Sequence, residues 1–298
     1  LRTAVADVDG DGIRDTVCVT GPGTPIRFAV VSGKDNSTVL VAPTAPFAGS
    51  ESFTGGGFVA VADIDRDGRS EIVVTPDQGG GPRVTIFSLL PAGLSGRANF
   101  FGIDDPAFRG GVRAALGDVN ADGIPDLAVC AGFLGGPRAA LFSGTSLLGT
   151  PARLVGDFFA FPGEDATRLR NGVFVTVGDL TGDGFAELVF GGGPGGAPRV
   201  FALSGAMISA GNVAGAQASP VANFFVAGNS TDRGGVRVAT KDADGDSKAD
   251  LVVGSGEGSP ARVRVYLGKN FAGASEPGTV QDLGVFGGAV LTGGVYVG

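Results

Sequence analysis

Asp7-Val-Asp9-Gly-Asp11-Gly-Ile13-Arg-Asp15 is followed at once by the apolar run Thr16-Val-Cys18-Val19. The pattern returns four times: Asp63-Ile-Asp65-Arg-Asp67-Gly-Arg69-Ser-Glu71, Asp118-Val-Asn120-Ala-Asp122-Gly-Ile124-Pro-Asp126, Asp179-Leu-Thr181-Gly-Asp183-Gly-Phe185-Ala-Glu187 and Asp242-Ala-Asp244-Gly-Asp246-Ser-Lys248-Ala-Asp250. The first aspartates lie 56, 55, 61 and 63 residues apart. A period of that length describes an array of similar supersecondary units.

Around each loop the chain reads the same way. An alternating strand precedes it, as in Phe58–Ala62, Val112–Leu116, Val173–Val177 and Val236–Thr240. A β-rich run follows it, and a glycine-proline turn then leads to a third strand (Pro82–Phe87, Pro137–Phe142, Pro198–Phe201, Arg262–Tyr266). An aromatic stretch closes the unit: Asn99-Phe-Phe101, Asp157-Phe-Phe159, Asn223-Phe-Phe225. Four short strands per repeat predict an all-β protein, a β-propeller of four-stranded blades. Small residues recur on one face of the first strand (Ala4, Ala60, Ala115, Thr176 and Ala239; Ala6, Ala62, Gly117 and Gly178) and fit close packing around an axis. Five loops predict five blades in one domain spanning 1–298, divided near 1–56, 57–111, 112–172, 173–235 and 236–298. Leu1–Ala6 and Gly293–Gly298 both resemble the start of a repeat and compete for the innermost strand of the first blade. A closed five-blade ring is the expectation, and a fragment of a longer array is the alternative.

The loops point to a cation. Oxygen ligands at positions 1, 3, 5 and 9, with the position-7 carbonyl and a turn glycine at 6, suit a hard ion such as calcium. Loop by loop the ligand sets are Asp7, Asp9, Asp11, Ile13 and Asp15; Asp63, Asp65, Asp67, Arg69 and Glu71; Asp118, Asn120, Asp122, Ile124 and Asp126; Asp179, Thr181, Asp183, Phe185 and Glu187; Asp242, Asp244, Asp246, Lys248 and Asp250. An EF-hand would need a glutamate at position 12 and flanking helices. Position 12 is Cys18, Val74, Val129, Phe190 or Val253, and the EF-hand reading fails. An Asx-turn explains one such loop without metal. Clustered carboxylates in five loops repel unless a cation neutralises them. The expectation is up to five Ca2+ ions, structural in role. The loops at Asp7 and Asp63, with four carboxylates and the glycine, are the tightest. Thr181 weakens the fourth loop, and Ser247 strains the fifth.

Composition supports this. The formal charge is −8, yet 18 of the 30 acidic residues lie within the loops, so five bound dications would bring the protein to about +2. Without a basic stripe, nucleic acid is not an expected partner. No apolar stretch reaches the roughly 18 residues of a membrane helix. Cys18 and Cys130 fall in non-neighbouring units and read as free thiols. Extracellular calcium modules bind at about 10⁻⁴ to 10⁻³ M, which sets the expected location as secreted, cell-surface or periplasmic.

The turn Phe190-Gly-Gly-Gly-Pro-Gly-Gly-Ala-Pro198, behind its aspartate loop, resembles the FG-GAP (VCBS-type) repeat of integrin α-subunit propellers and their bacterial relatives. The resemblance covers nearly the whole chain and implies a non-catalytic recognition, adhesion or scaffold module. It departs in two respects: integrin propellers have seven blades, and among these turns Phe-Gly stands only at Phe190.

The face opposite the loops carries Arg27, Arg83, Arg138, Arg199 and Arg262 near the starts of the third strands, with Arg109, Arg170 and Arg233 nine residues before a loop. These arginines read either as a surface for an unknown protein or glycan ligand, or as inter-blade ion pairs that fix blade register. Acids in the same segments (Glu51, Asp104, Asp105, Glu164, Asp165, Asp232) favour the pairs. With no histidine in the chain, histidine triads are excluded. No acid pair stands apart from the loops, so no enzyme is expected. A carbohydrate-binding or polysaccharide-cleaving propeller is the alternative.

Overall fold

Alternating short strands punctuated by glycine turns can bury one face only by stacking sheet on sheet. The computed structural model, which describes residues 1–298, contains five four-stranded sheets. The first comprises β1 (Arg2–Ala6), β2 (Asp15–Val19), β3 (Phe28–Val31) and β4 (Val39–Thr44). The second comprises β5 (Gly57–Ala62), β6 (Glu71–Pro76), β7 (Arg83–Leu90) and β8 (Gly93–Phe101). The third comprises β9 (Val112–Gly117), β10 (Asp126–Ala131), β11 (Arg138–Phe142) and β12 (Arg153–Phe159). The fourth comprises β13 (Val173–Gly178), β14 (Glu187–Gly192), β15 (Arg199–Leu203) and β16 (Ala222–Phe225). The fifth comprises β17 (Val236–Lys241), β18 (Asp250–Ser255), β19 (Arg262–Tyr266) and β20 (Gln281–Gly284). Spatial order follows chain order in every sheet, and all neighbours pair antiparallel. The protein is an all-β propeller of five four-stranded blades.

The first strand of each blade is innermost: β1 packs on β5, β5 on β9, β9 on β13, and β13 on β17. Small residues permit this approach. A Cβ placed on Gly117 would meet Val177 Cγ1 at 2.5 Å, and one on Gly178 would meet Thr240 at 2.9 Å. Alternate side chains of the middle strands face opposite neighbours, so each blade contributes to two cores. Val17, Val19 and Phe28 join Ile72, Val74 and Phe87 between blades one and two. Val73, Val84 and Ile86 join Leu127 and Val129 between two and three. Leu141 meets Leu188 and Phe190 between three and four, and Val189 and Val200 meet Leu251 and Val253 between four and five. Each fully buried aliphatic or aromatic side chain of this kind contributes about 1.5–3 kcal/mol by removal from water. Both cysteines are free.

Ring closure departs from the sequence expectation. Leu1–Ala6 and Gly293–Gly298 do not compete, because the tail occupies a place of its own between blades five and one. Each inner strand after the first begins beyond a glycine with positive φ: Gly56 (80°), Gly111 (67°), Gly172 (65°) and Gly235 (70°). Gly294 repeats that conformation at 70°. The Gly57 N–H donates to Thr20 O (3.0 Å), and the Val295 N–H donates likewise to Ser255 O (2.9 Å). The tail therefore sits against blade five as a further inner strand would. No hydrophobic cluster of the kind joining the other blades links the fifth blade to the first.

This sixth inner place completes a stack around the axis. Two residues after each positive-φ glycine stand Phe58, Arg113, Phe174, Arg237 and Tyr296, with Arg2 at the same register of β1. Arginine and aromatic ring alternate. The Arg2 guanidinium lies 3.7 Å from the Phe58 ring centroid and 4.6 Å from that of Tyr296. Arg113 lies 3.9 Å from Phe174 and 5.6 Å from Phe58, and Arg237 lies 4.8 Å from Phe174 and 5.1 Å from Tyr296. Cation–π contacts contribute roughly 0.5–1 kcal/mol each at exposed sites such as Tyr296, which is 42% exposed, and about 2 kcal/mol where desolvated. Tyr296→Ala, which removes two of them, is expected to lower unfolding free energy in urea by about 1–3 kcal/mol. Tyr296→Phe should lose less, forfeiting only the hydroxyl that accepts from Arg2 Nη2 at 3.0 Å.

Candidate metal centres and the opposite face

Each aspartate loop is the turn of the hairpin joining the first and second strands of a blade. Its last carboxylate, at position 9, is the first residue of the second strand and is buried: Asp15, Glu71, Asp126, Glu187 and Asp250 are all at most 1% exposed. Burying a carboxylate demands hydrogen bonds. One oxygen accepts the position-2 N–H in every loop: Val8 (2.9 Å), Ile64 (2.8 Å), Val119 (3.0 Å), Leu180 (2.9 Å) and Ala243 (2.7 Å). The other oxygen accepts from the end of the third strand, at Gly33 N (3.0 Å), Ser88 Oγ (2.9 Å), Gly144 N (2.9 Å) and Gly268 N (2.9 Å). Glu187 breaks this pattern, since its Oε1 is buried and has no partner.

The rest of the loop is shaped by its own carboxylates. The position-1 aspartate accepts the position-6 N–H: Gly12 at 2.8 Å, Gly68 at 3.0 Å, Gly123 at 2.6 Å, Gly184 at 2.9 Å and Ser247 at 3.0 Å. Position 5 accepts the N–H of position 7, which fixes the peptides of Ile13, Arg69, Ile124, Phe185 and Lys248 at 2.8–3.0 Å. These are Asx-turns, so that reading is correct as far as backbone shape goes. It does not dispose of the charge. Carboxylate oxygens of Asp7, Asp9 and Asp15 lie within 4.8 Å of one another, as do those of Asp63, Asp65 and Glu71, and of Asp242, Asp244 and Asp246.

Electrostatics register the crowding. Burial, with the Asp179 and Asp183 charges adding to it, pushes the Glu187 carboxyl up to about 7. Burial and the Asp122 and Asp118 charges push Asp126 up to about 6. Glu71 and Asp9 are raised for the same two reasons. A hard oxygen donor set with an orphaned buried oxygen fits a cation such as calcium.

The loops differ beyond what their ligand lists predict. Positions 4 and 6 both take positive φ, and non-glycine residues bear that strain at Arg66 (60°), Ala121 (59°) and Ser247 (67°). Basic side chains also enter: Arg66 Nε donates to Gly123 O (2.8 Å), and Lys248 Nζ donates to Thr181 O (2.9 Å). Lys269, from the turn after β19, places Nζ on Asp244 Oδ2 and 3.5 Å from Asp246 Oδ2. The fifth loop thus holds an internal ammonium among the oxygens a metal would use.

On the opposite face the arginines singled out from sequence bond within their own blades or loops, with Arg199 reaching one further partner between blades. Arg138 bonds Asp157 (2.7 Å) across β11–β12, Arg262 bonds Asp282 across β19–β20, and Arg83 donates to Asn99 Oδ1 (3.0 Å) across β7–β8. Arg199 takes Asn223 in β16 and also Asp165 (2.7 Å) from the segment joining β12 to β13. Arg27 donates to the Ile26 carbonyl, and Arg109, Arg170 and Arg233 donate to carbonyls of their own loops. A blade-locking ring does not form, because the antiparallel register sets each third-strand arginine opposite its own fourth strand. Half-exposed pairs of this kind contribute about 0–1 kcal/mol.

The arginines line smaller concavities (Arg262; Arg199 and Arg233; Arg83 and Arg109), and a larger one is axial, a well of ≈ 700 Å³. Its rim takes Pro22, Gln78, Phe133, Pro194 and Glu257, one from the second-to-third-strand turn of each blade, and its wall includes Arg2, Arg113 and Tyr296. The sequence carried a signal for these residues: arginine and phenylalanine alternate five residues before the first aspartate of successive loops.

Residues 7–74 match the model of the FG-GAP-like repeat family. Integrin alpha pat-2 of Caenorhabditis elegans is 27% identical over 152 residues, which is 45% of this chain and 12% of that protein. Its Caenorhabditis briggsae counterpart is 26% identical over the same length and the same shares. Over residues 7–74 this five-bladed propeller thus resembles an FG-GAP-like repeat, and over 152 residues it resembles integrin α. The match spans about an eighth of those relatives' length. Among solved structures, rhamnogalacturonan lyase YesW superposes with a TM-score of 0.46 at 14% identity, covering 91% of this propeller and 49% of the lyase. No helix of the propeller is long and apolar enough to cross a membrane.

Two outcomes are expected of the loops as folded without metal. A carboxyl raised in the fold binds its proton more tightly than in the unfolded chain, so stability falls as pH rises from the ordinary 3.8–4.5 through the folded values of about 6 and 7. In excess chelator the propeller should melt lower at pH 7.5 than at pH 5. Gly68 has open space where a Cβ would stand, so only backbone strain opposes a side chain at position 6. Ser247→Gly is expected to raise unfolding free energy by about 1 kcal/mol and Gly68→Ser to lower it by a similar amount, both read by urea titration.

Proposed function

We propose that this propeller is a calcium-stabilised, non-catalytic recognition or adhesion module that works outside the cell, with calcium in the aspartate loops and the partner on the opposite face. One observation carries the metal half. Five acidic hairpins are each built around a buried carboxylate that holds the position-2 N–H, and in the fourth the Glu187 Oε1 atom has been taken from water with nothing to bond. Leaving such an atom unpaired costs about 1–3 kcal/mol, and a coordinated cation removes the cost. The ligands are hard oxygens on flexible loops, which favours calcium over the smaller, octahedral magnesium. An extracellular location fits sites of this class, which fill at millimolar calcium. Likeness to integrin α supports recognition over catalysis, as does the absence of histidine.

Bound calcium needs the ionised carboxylates, so its affinity falls on acidification and it reverses the pH trend of the metal-free protein. Binding to the folded state alone raises stability by RT ln(1 + [Ca]/Kd), about 2.7 kcal/mol per site at a hundredfold excess over Kd. The melting temperature at pH 7.5 is expected to fall by several degrees when 5 mM CaCl2, about 5- to 50-fold above the Kd of such sites, is replaced by excess EGTA. An unchanged melting curve removes the proposal. Lys269→Met should raise calcium bound per chain at sub-saturating metal, measured by equilibrium dialysis with elemental analysis, because the ammonium no longer competes for Asp244 and Asp246.

A further inference from the structure

We infer that the axial well is a carboxylate-binding site whose occupant is an acidic side chain, most simply glutamate, presented by a peptide segment of a partner protein. The inference rests on the reading of the propeller as a recognition module and specifies the chemistry of its partner.

Three guanidiniums stand in the axial stack, and two have carboxylates. Arg2 Nη2 bonds Asp77 Oδ2 at 2.7 Å, and Arg237 Nη2 bonds Glu257 Oε1 at 3.1 Å. Arg113 has none. Its Nη1 donates to the Val173 carbonyl at 3.0 Å, while its Nε is buried without any partner. The residue is 5% exposed, yet it lines the well. Burial lowers its pKa only to about 10, so it is charged at neutral pH. A buried guanidinium lacking a counter-charge is costly unless an anion completes it. Its planar fork matches a carboxylate, which can take two parallel N–H bonds. With Arg2 and Arg237 already neutralised, the stack carries one uncompensated positive charge where the well opens.

The geometry selects the bearer of the anion. Arg113 is nearly covered, so the carboxylate must arrive on a narrow arm, and glutamate carries its carboxylate on two methylenes. A uronic acid fixes its carboxylate directly to a sugar ring, which would have to enter whole. Glycine and proline turns from all five blades form the rim, leaving peptide groups there to meet a peptide backbone.

The Arg Nε–H resonances of the ¹⁵N-labelled full chain in 5 mM CaCl2 provide the test, with Ac-Gly-Glu-Gly-NH2 as the probe. A saturable shift of the Arg113 signal is expected, absent with Ac-Gly-Gln-Gly-NH2 and weakened at least tenfold in Arg113→Gln. Gln78→Glu places a negative charge on the exposed rim without touching the stack and is expected to weaken the probe several-fold, which keeps the inference testable should Arg113→Gln fail to fold. No saturable shift up to 50 mM probe (about the weakest affinity of interest for one ion pair) overturns the site. Equal affinity for both tripeptides overturns the carboxylate. A response to galacturonate but not to the glutamate peptide overturns the peptide source. None of these failures alters the melting response to EGTA, so the calcium proposal stands or falls separately.

Discussion

A buried carboxylate at the foot of every second strand is the interaction on which the rest of the structure depends. Asp15 shows the arrangement: one oxygen holds the Val8 N–H of the acidic loop, and the other holds the Gly33 N–H at the end of the third strand. Hairpin turn, second strand and third strand are thereby fixed by a single side chain that water cannot reach. The bond to the loop recurs in all five blades, and the bond to the third-strand end recurs in four. Replacing such a group by alanine would strand two donors at once, so the constraint is stronger than any one hydrogen bond. It also explains why the acidic loops occupy one rim: the anchor can serve only where the hairpin between first and second strands closes.

The axis is organised by a different force with a different period. Loops repeat once per blade, whereas the stack alternates arginine and aromatic ring and therefore repeats once per two blades. An alternation closes only on an even number of places. Five blades supply five, and Tyr296 supplies the sixth, standing between Arg237 and Arg2. The tail is thus required by the arithmetic of cation–π pairing, since without it two guanidiniums would face each other across the gap. The Tyr296 ring instead separates them and gives each guanidinium a second aromatic contact.

Much of this was legible in the sequence because it follows from local chemistry. The Asp-x-Asp-x-Asp-Gly spacing marks a turn, the glycine at position 6 takes a left-handed conformation at Gly12, Gly68, Gly123 and Gly184, and the runs before and after each loop pair as its flanking strands. What was missed depends on distant partners. Arg113 and Phe174 are 61 residues apart, and the one sign in the sequence that they stack is their shared register five residues before the first aspartate of successive loops. The peripheral arginines were conspicuous beside the glycine-proline turns but pair unremarkably across β11–β12 and β19–β20. Lys269 belongs to no repeated motif, and only the turn after β19 brings it back to loop five. Closure was misjudged because repeat similarity alone does not distinguish two strands competing for one place from two strands in adjacent places.

A protein of formal charge −8 makes an odd host for an anion, and the geometry of the blade resolves the conflict. Arg113 lies five residues before Asp118, the first aspartate of its loop, along a strand that rises about 3.3 Å per residue. Stack and acidic rim are therefore separated by roughly 16 Å, about two Debye lengths at physiological ionic strength. The 18 loop carboxylates lie at the other end of the inner strands and act mainly on one another. Within the well the governing charges are those a few ångströms away: Arg2 with Asp77, Arg237 with Glu257, and Arg113 alone. Net charge would predict a cationic partner for this propeller. Local charge, shielded by the length of one β-strand, predicts the opposite on the face where the five turns converge.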